Sequence, residues 1–164
     1  MIIVSDTTPL RYLIEIDEAH ILPALYGKII IPQKVFDELQ GQKTPPKVVT
    51  WIQNLPVWLE VQKADLSLFT PHKYIHAGEH EAIALALELN ADAFLSDDGN
   101  AIKEARRLNI LTLRLFNILE SAAEDDLLDL LTSIQKMKLT TFHSPPDEII
   151  DAMLERNRLR KLIH

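Results

Sequence analysis

The sequence predicts an α/β fold built on a mostly parallel sheet. Three observations lead there. Short apolar runs recur along the chain: IIVS, KIII and AFLS. Each is followed by a stretch with helical periodicity. Strands alternating with helices in this way pack as a parallel sheet covered by helices. At 164 residues the chain is long enough to bury one substantial core.

The elements follow in order. Residues 2–5 read as a first strand. Pro9 then sits where a first helical residue belongs, with Thr8 as its N-cap, and Leu10, Leu13 and Ile14 share one face of the helix. A short helix around Ile21–Leu25 ends at Gly27. Lys28–Ile31 is a β-branched second strand, and Pro32 opens the helix PQKVFDELQ, for which Gly41 is the expected C-cap. Thr44-Pro45-Pro46 reads as a turn, Val48–Ile52 as a short helix, and Val57–Val61 as a strand. His72–Ala77 is a loop. EHEAIALALELN is the strongest helix and stops at Asn90. Ala93–Ser96 is a buried strand, AIKEARRL a helix, ILTLRL a strand, 124–137 one amphipathic helix, and 147–162 a final helix after Ser144-Pro145-Pro146. The expected organisation is a single domain over 1–164, with a motif-bearing core (1–120) and a C-terminal helical extension (121–164).

Composition excludes several classes. No apolar run approaches the ~20 residues of a spanning helix. The residues after Met1-Ile2-Ile3-Val4 are Ser5-Asp6, unlike a signal peptide, so a cytoplasmic protein with no membrane partner is expected. There is no cysteine, hence no disulfide, thiolate metal site or cysteine nucleophile. The net charge of −7 argues against a broad basic face coated in nucleic acid. It leaves room for an enzyme that gathers acids in one pocket and keeps its basic residues elsewhere. Those residues cluster at Lys103, Arg106 and Arg107, and again from Arg156 to Lys161.

In parallel sheets, sites form at the carboxyl ends of strands. Two acidic stretches fall at such ends: Asp6 after IIVS, and Asp97-Asp98 after AFLS. Asp6 could cap the next helix, but Thr8 is the better-placed cap, so Asp6 is one carboxylate more than the helix needs. Glu38 lies at the border of the stripe made by Val35, Phe36 and Leu39, and reads either as a solvated residue or as one looking along the edge of the core. Glu79 shares its helix face with Ala82, Ile83 and Ala86, an inward face; Glu81 shares a mixed face with Leu85 and Glu88. Of Asp97 and Asp98, one can face a site while the other caps AIKEARRL. Carboxylates converging without cations raise one another's pKa. A divalent metal is the usual resolution, and Mg²⁺ and Mn²⁺ take such oxygen ligands together with substrate phosphates.

The order SDTTPL, IPQKVFDEL, GEHEAIALALELNADAFLSDD resembles the PIN-domain nucleases, in particular the PIN-like branch related to VapC-type toxins of prokaryotic toxin–antitoxin systems. The resemblance covers roughly residues 1–120 by motif. It implies a three-layer α/β/α sandwich and a Mg²⁺- or Mn²⁺-dependent ribonuclease, often a homodimer and commonly inhibited by a small antitoxin. By position it implies an acidic quartet of Asp6, Glu38, Glu79 and Asp98. Ser96-Asp97-Asp98 fits its Ser/Thr-x-Asp motif, with Ser96 as a supporting hydroxyl and Asp97 as an extra acid able to replace or assist Asp98 as a metal ligand. Thr7 or Thr8 would support Asp6, and Glu81 could stand in for Glu79.

Arg106, Arg107 and Arg114 are candidate contacts to RNA phosphates, or a solvated helix face. His72, His76 and His80 read as solvated or loop-packed. Trp51 and Trp58 read as core or interface residues rather than base-stacking ones. Two other functions are compatible with the same acids: a Mg²⁺-dependent hydrolase of small phosphates, whose DxDx(T/V) motif SDTTPL lacks, and an inactive partner-binding module.

Overall fold

The computed structural model describes residues 1–163. The elements run β1 (Ile3–Ser5), α1 (Thr7–Glu15), α2 (Ile21–Tyr26), β2 (Ile29–Pro32), α3 (Gln33–Glu38), α4 (Pro46–Ile52), β3 (Leu59–Gln62), a 3₁₀ turn (Leu66–Leu68), α5 (Ala77–Glu88), β4 (Ala93–Leu95), α6 (Gly99–Arg107), β5 (Thr112–Leu113), α7 (Leu115–Glu124), α8 (Leu130–Lys138) and α9 (Asp147–Ile163). The five strands form one sheet in the order β3-β2-β1-β4-β5. Every neighbouring pair is parallel.

Helices bury both faces of the sheet, which is why its inner strands are apolar runs without polar alternation. Ile3, Ile29, Ile31, Ala93 and Leu95 point into one layer, with Leu10 and Leu13 of α1 and Leu115, Ile118 and Leu119 of α7. Val4, Ile30 and Phe94 point into the other, against Ala82, Ile83 and Ala86 of α5 and Ala101 and Ala105 of α6. The architecture is therefore the expected three-layer α/β/α sandwich. Ala122, Ile134, Met137, Ile150 and Met153 of α7, α8 and α9 belong to the first of these clusters, so the C-terminal helices complete the same core.

The topology places the site. From β1 the chain steps outward to β2 and β3, then returns to β4 on the other side of β1. The direction of winding reverses between β1 and β4, and a crevice opens at the carboxyl ends of strands at such a switch point. Ser5 pairs with Leu95 in register, and the Asp6 N–H donates to Leu95 O at 3.1 Å. Asp6 and the Ser96-Asp97-Asp98 stretch thus leave the sheet side by side.

Several boundaries differ from the sequence reading. Helix α1 begins at Thr7, so Asp6 rather than Thr8 holds the N-cap position. Pro9 is accommodated in the first turn, where its missing N–H leaves no bond unmade. Helix α3 ends at Glu38, and Gly41 lies in the following turn, its N–H donating to Glu38 O. Strand β3 starts at Leu59, because pairing with Ile29 sets its register, and Val57 is 99% exposed. ILTLRL contributes only Thr112–Leu113, an edge strand. The helix expected over 124–137 begins only at Leu130; Glu124 instead closes α7, to which the sequence reading assigned no element beyond Leu115, and Asp126 adopts φ 57° between the two helices.

Candidate active site

Asp6 is almost fully buried at the tip of β1. Although it holds the N-cap position, its side chain makes no capping hydrogen bond, and its Oδ1 has no hydrogen-bond partner. The carboxylate is therefore free of structural duty, for a different reason from the one its sequence context offered. Burial pushes the Asp6 carboxyl well above the usual range, and the charges of Glu79 and Asp97 push it further; the Ser96 hydroxyl and His76 counteract them only in part. The Ser96 hydroxyl accepts from the Asp98 N–H at 3.2 Å, which leaves its own hydrogen for a carboxylate.

Asp97 and Asp98 diverge after β4. Asp98 caps α6, its Oδ2 accepting from the Ala101 N–H at 2.8 Å. Asp97 stands beside Asp6 and accepts from the Leu115 N–H at 3.1 Å. Burial raises the Asp97 carboxyl to about 6, against the pull of that N–H and of Arg114. Both aspartates line the same cleft.

Glu79 enters from the first turn of α5 and is 5% exposed. Its Oε2 accepts from the His76 N–H at 3.1 Å, and its Oε1 lies 2.8 Å from His76 Nε2. His76 Nδ1 accepts from the Gly78 N–H at 3.1 Å, so the ring proton sits on Nε2 and donates to Glu79. This is a capping box in which an imidazole replaces the usual hydroxyl or carboxylate. Glu81 lies instead toward α3, near Lys34, Asp37 and Glu38, with its carboxyl raised by burial.

Glu38, at the end of α3, reaches the same region. The Thr7 hydroxyl donates to its Oε2, and its Oε1 lies 3.6 Å from His76 Nδ1. Gly78 makes this possible. A Cβ on Gly78 would fall 2.6 Å from Glu38 Oε1 and 2.7 Å from Oε2, so the carboxylate rests directly on the glycine.

His76 and Gly78 were not legible as site residues. A loop histidine and a helix-leading glycine carry no sign of the distant carboxylates they touch. Arg107 serves the scaffold: it pairs with the buried Glu104 at 2.7 Å and donates to Thr70 O. Glu104 in turn accepts from the His72 and Lys73 N–H groups, pinning the loop that leads to His76. Arg106 is exposed and donates to the Thr112 hydroxyl at 3.3 Å. Arg114 is the arginine that lines the acidic cleft.

A divalent cation fits these residues by donor chemistry. Asp6 offers an unpartnered buried oxygen among like charges, and the set is all oxygen, as Mg²⁺ and Mn²⁺ require. Coordination is not preformed: among the described residues, no three His, Asp or Glu side chains stand close enough to share one ion. Glu79 is held by His76 and Asp97 by Leu115.

The raised carboxyls have a measurable consequence. A group whose folded pKa exceeds its unfolded value favours folding below the unfolded pKa, and that contribution is lost as pH rises through the folded pKa. For Asp97 the window runs from the unfolded ~3.9 to about 6. Urea unfolding of the metal-free protein should lose on the order of 3 kcal/mol across it relative to Asp97→Asn. Parallel pH curves for the two proteins would contradict the burial assigned to Asp97.

Comparison with known proteins agrees with this geometry. A PIN-domain family model, DUF3368, matches residues 2–157. Among solved structures, the chain is similar to a PilT N-terminus domain protein from the hyperthermophilic archaeon Sulfolobus solfataricus P2. The two share 17% identity and a TM-score of 0.50, over 88% of this chain and 100% of that one. At that identity the likeness concerns the fold. No curated protein matches. No described helix is long and apolar enough to cross a membrane. The family match spans every strand of the sheet and each acid at its switch point, and on that ground the chain belongs to the PIN-domain family.

Proposed function

We propose that the protein is a Mg²⁺- or Mn²⁺-dependent endoribonuclease, acting as the toxin of a toxin–antitoxin pair. PIN domains are in general nucleases that use divalent metals, and this supports the coarse reading. The observation that carries the finer one is the buried Asp6 oxygen without a partner, set beside Glu79 and Asp97 at the switch point. Asp6, Asp97 and Glu79 would hold the ion, with Glu38 and Asp98 at its margin. When bound, the metal supplies an acidified water and neutralises charge on the phosphodiester.

The chain's own residues do the rest. The sheet fixes Asp6 through the Leu95 carbonyl. His76 holds the Glu79 carboxylate by two donors, its backbone N–H and its Nε2–H. Thr7 and Gly78 orient Glu38. Arg114, exposed at the cleft rim, meets the phosphate backbone. A small antitoxin, a homodimer and an RNA substrate complete the proposal; the first two follow from the family resemblance alone.

The test is cleavage of single-stranded RNA by the purified protein with Mn²⁺ and with EDTA. Asp97→Asn should lower Mn²⁺-dependent cleavage by at least about 100-fold, the upper end of what loss of an outer-shell partner of a metal ligand costs. Asp98→Ala should cost about 1 kcal/mol of stability, the worth of an N-cap, and less than tenfold in rate. The reverse pattern would make Asp98 the ligand and Asp97 the support. Cleavage that persists in EDTA would overturn the metal-dependent reading.

A further inference from the structure

We propose that the cleft beside the acids is a nucleobase subsite, taking the base of the single-stranded RNA nucleotide whose phosphate lies at Asp6 and Asp97. The proposal rests on the ribonuclease reading and adds to it the place where sequence preference is set. The cleft encloses about 660 Å³, within the range of small-ligand sites. It has two chemically distinct ends. Glu79, Asp97, Asp98 and Arg114 form one. Tyr12, Phe116, Phe142, Pro145, Ile149 and Met153 form the other. A nucleotide has the same division: a flat, uncharged base joined to an anionic phosphate.

The apolar end is built in advance. Phe116 and Phe142 stack at 5.9 Å with 14° between their planes, and Tyr12 meets Phe142 edge-on at 5.2 Å. Tyr12 Oη and the Thr141 hydroxyl are hydrogen-bonded at 2.8 Å, which ties α1 to the segment before α9. The Thr140 hydroxyl donates to Met137 O at 2.6 Å and accepts from the Phe142 N–H at 3.2 Å. A wall fixed in this way loses little entropy when a ring docks on it.

Polar groups also line the cleft. Asn117 uses its Oδ1 on the Arg114 N–H at 3.3 Å, so its NH₂ faces no demand from that contact. Ser144 Oγ is buried with no hydrogen-bond partner. Thr141 and His143 also line the cleft. Single-stranded RNA is read by this combination of aromatic walls and edge-directed hydrogen bonds. The three carboxylates of the cleft disfavour an acidic peptide.

The test uses the full chain and four nucleoside 5′-monophosphates, with ribose 5-phosphate as the baseless control, in the presence of diamagnetic Mg²⁺. Binding is followed by NMR amide shifts. At least one mononucleotide should shift Phe116 and the Thr141–Ile149 segment and bind at least about tenfold tighter than ribose 5-phosphate, the range one stacked base contributes. Ile149→Trp, at a half-exposed position in the first turn of α9, should fill the cleft and weaken that binding about tenfold with an unchanged Tm. Equal binding of ribose 5-phosphate would overturn the proposal, as would shifts confined to other surfaces or wild-type binding by Ile149→Trp. So would shifts in this segment that follow protein concentration instead of nucleotide, since a second copy of the chain would then be the occupant. Cleavage of RNA without base binding here removes the subsite and leaves the nuclease reading standing. Base binding here without RNA cleavage does the opposite.

Discussion

Asp6→Asn should abolish Mn²⁺-dependent cleavage, by at least ~1,000-fold or about 4 kcal/mol of barrier, and should at the same time stabilise the metal-free protein. The two effects share one cause. Asp6 is buried, its Oδ1 lacks a partner, and Glu79 and Asp97 stand near it. The carboxyl ionises freely in the unfolded chain but is penalised for doing so in this buried place, so it works against folding at neutral pH. Asparagine keeps the shape and removes the charge. The expected gain is roughly 1–2 kcal/mol, or a Tm rise of about 3–6 °C. Mn²⁺ should raise the Tm of the wild type, because a ligand that binds only the folded state stabilises it. It should leave Asp6→Asn unmoved. A variant that is inactive and also less stable would mean that Asp6 serves the scaffold, and a Tm that still rises with Mn²⁺ would place the ion elsewhere. Calorimetry with and without Mn²⁺ reads both effects in one series.

The features legible in the sequence are those set by local pattern. Strands β1, β2 and β4 announce themselves because both of their faces are buried, which demands apolar residues in succession. Glu79 is recognisable as inward because Ala82, Ile83 and Ala86 follow it at helical spacing, and all three are buried. Features set by contacts between distant segments stay hidden. Asp126 breaks the helix after α7 in a left-handed conformation, with no glycine to mark the break. Arg107 reads as an RNA contact or a solvated helix residue; its pairing with the buried Glu104, and the hold of the two on the loop at Thr70–Lys73, are contacts between distant segments. Thr8-Pro9 reads as a helix start, yet the helix opens one turn-fraction earlier because the sheet register, rather than the proline, decides where β1 ends.

Gly78→Ala should lower Mn²⁺-dependent cleavage about 100-fold, the cost of misplacing a positioned group by about 1 Å, while leaving stability nearly unchanged. Gly78 lies in the first turn of α5 with an ordinary helical backbone, so alanine fits there without strain. Alanine should even favour the helix by up to ~1 kcal/mol. The added methyl, however, would fall within 2.7 Å of both Glu38 oxygens. A carboxylate at the end of a flexible side chain gives way before two packed helices do. Glu38 then leaves both the glycine and the Thr7 hydroxyl, at a cost of about 1 kcal/mol for the lost hydrogen bond, which offsets the helical gain. Pairing the change with Glu38→Ala isolates the cause. Once Glu38 is removed the three atoms nearest the methyl are gone, so Gly78→Ala should have no further effect on rate in that background. Full activity in Gly78→Ala would remove Glu38 from the machinery. A large fall in Tm would show that the helices separated instead of the side chain turning aside.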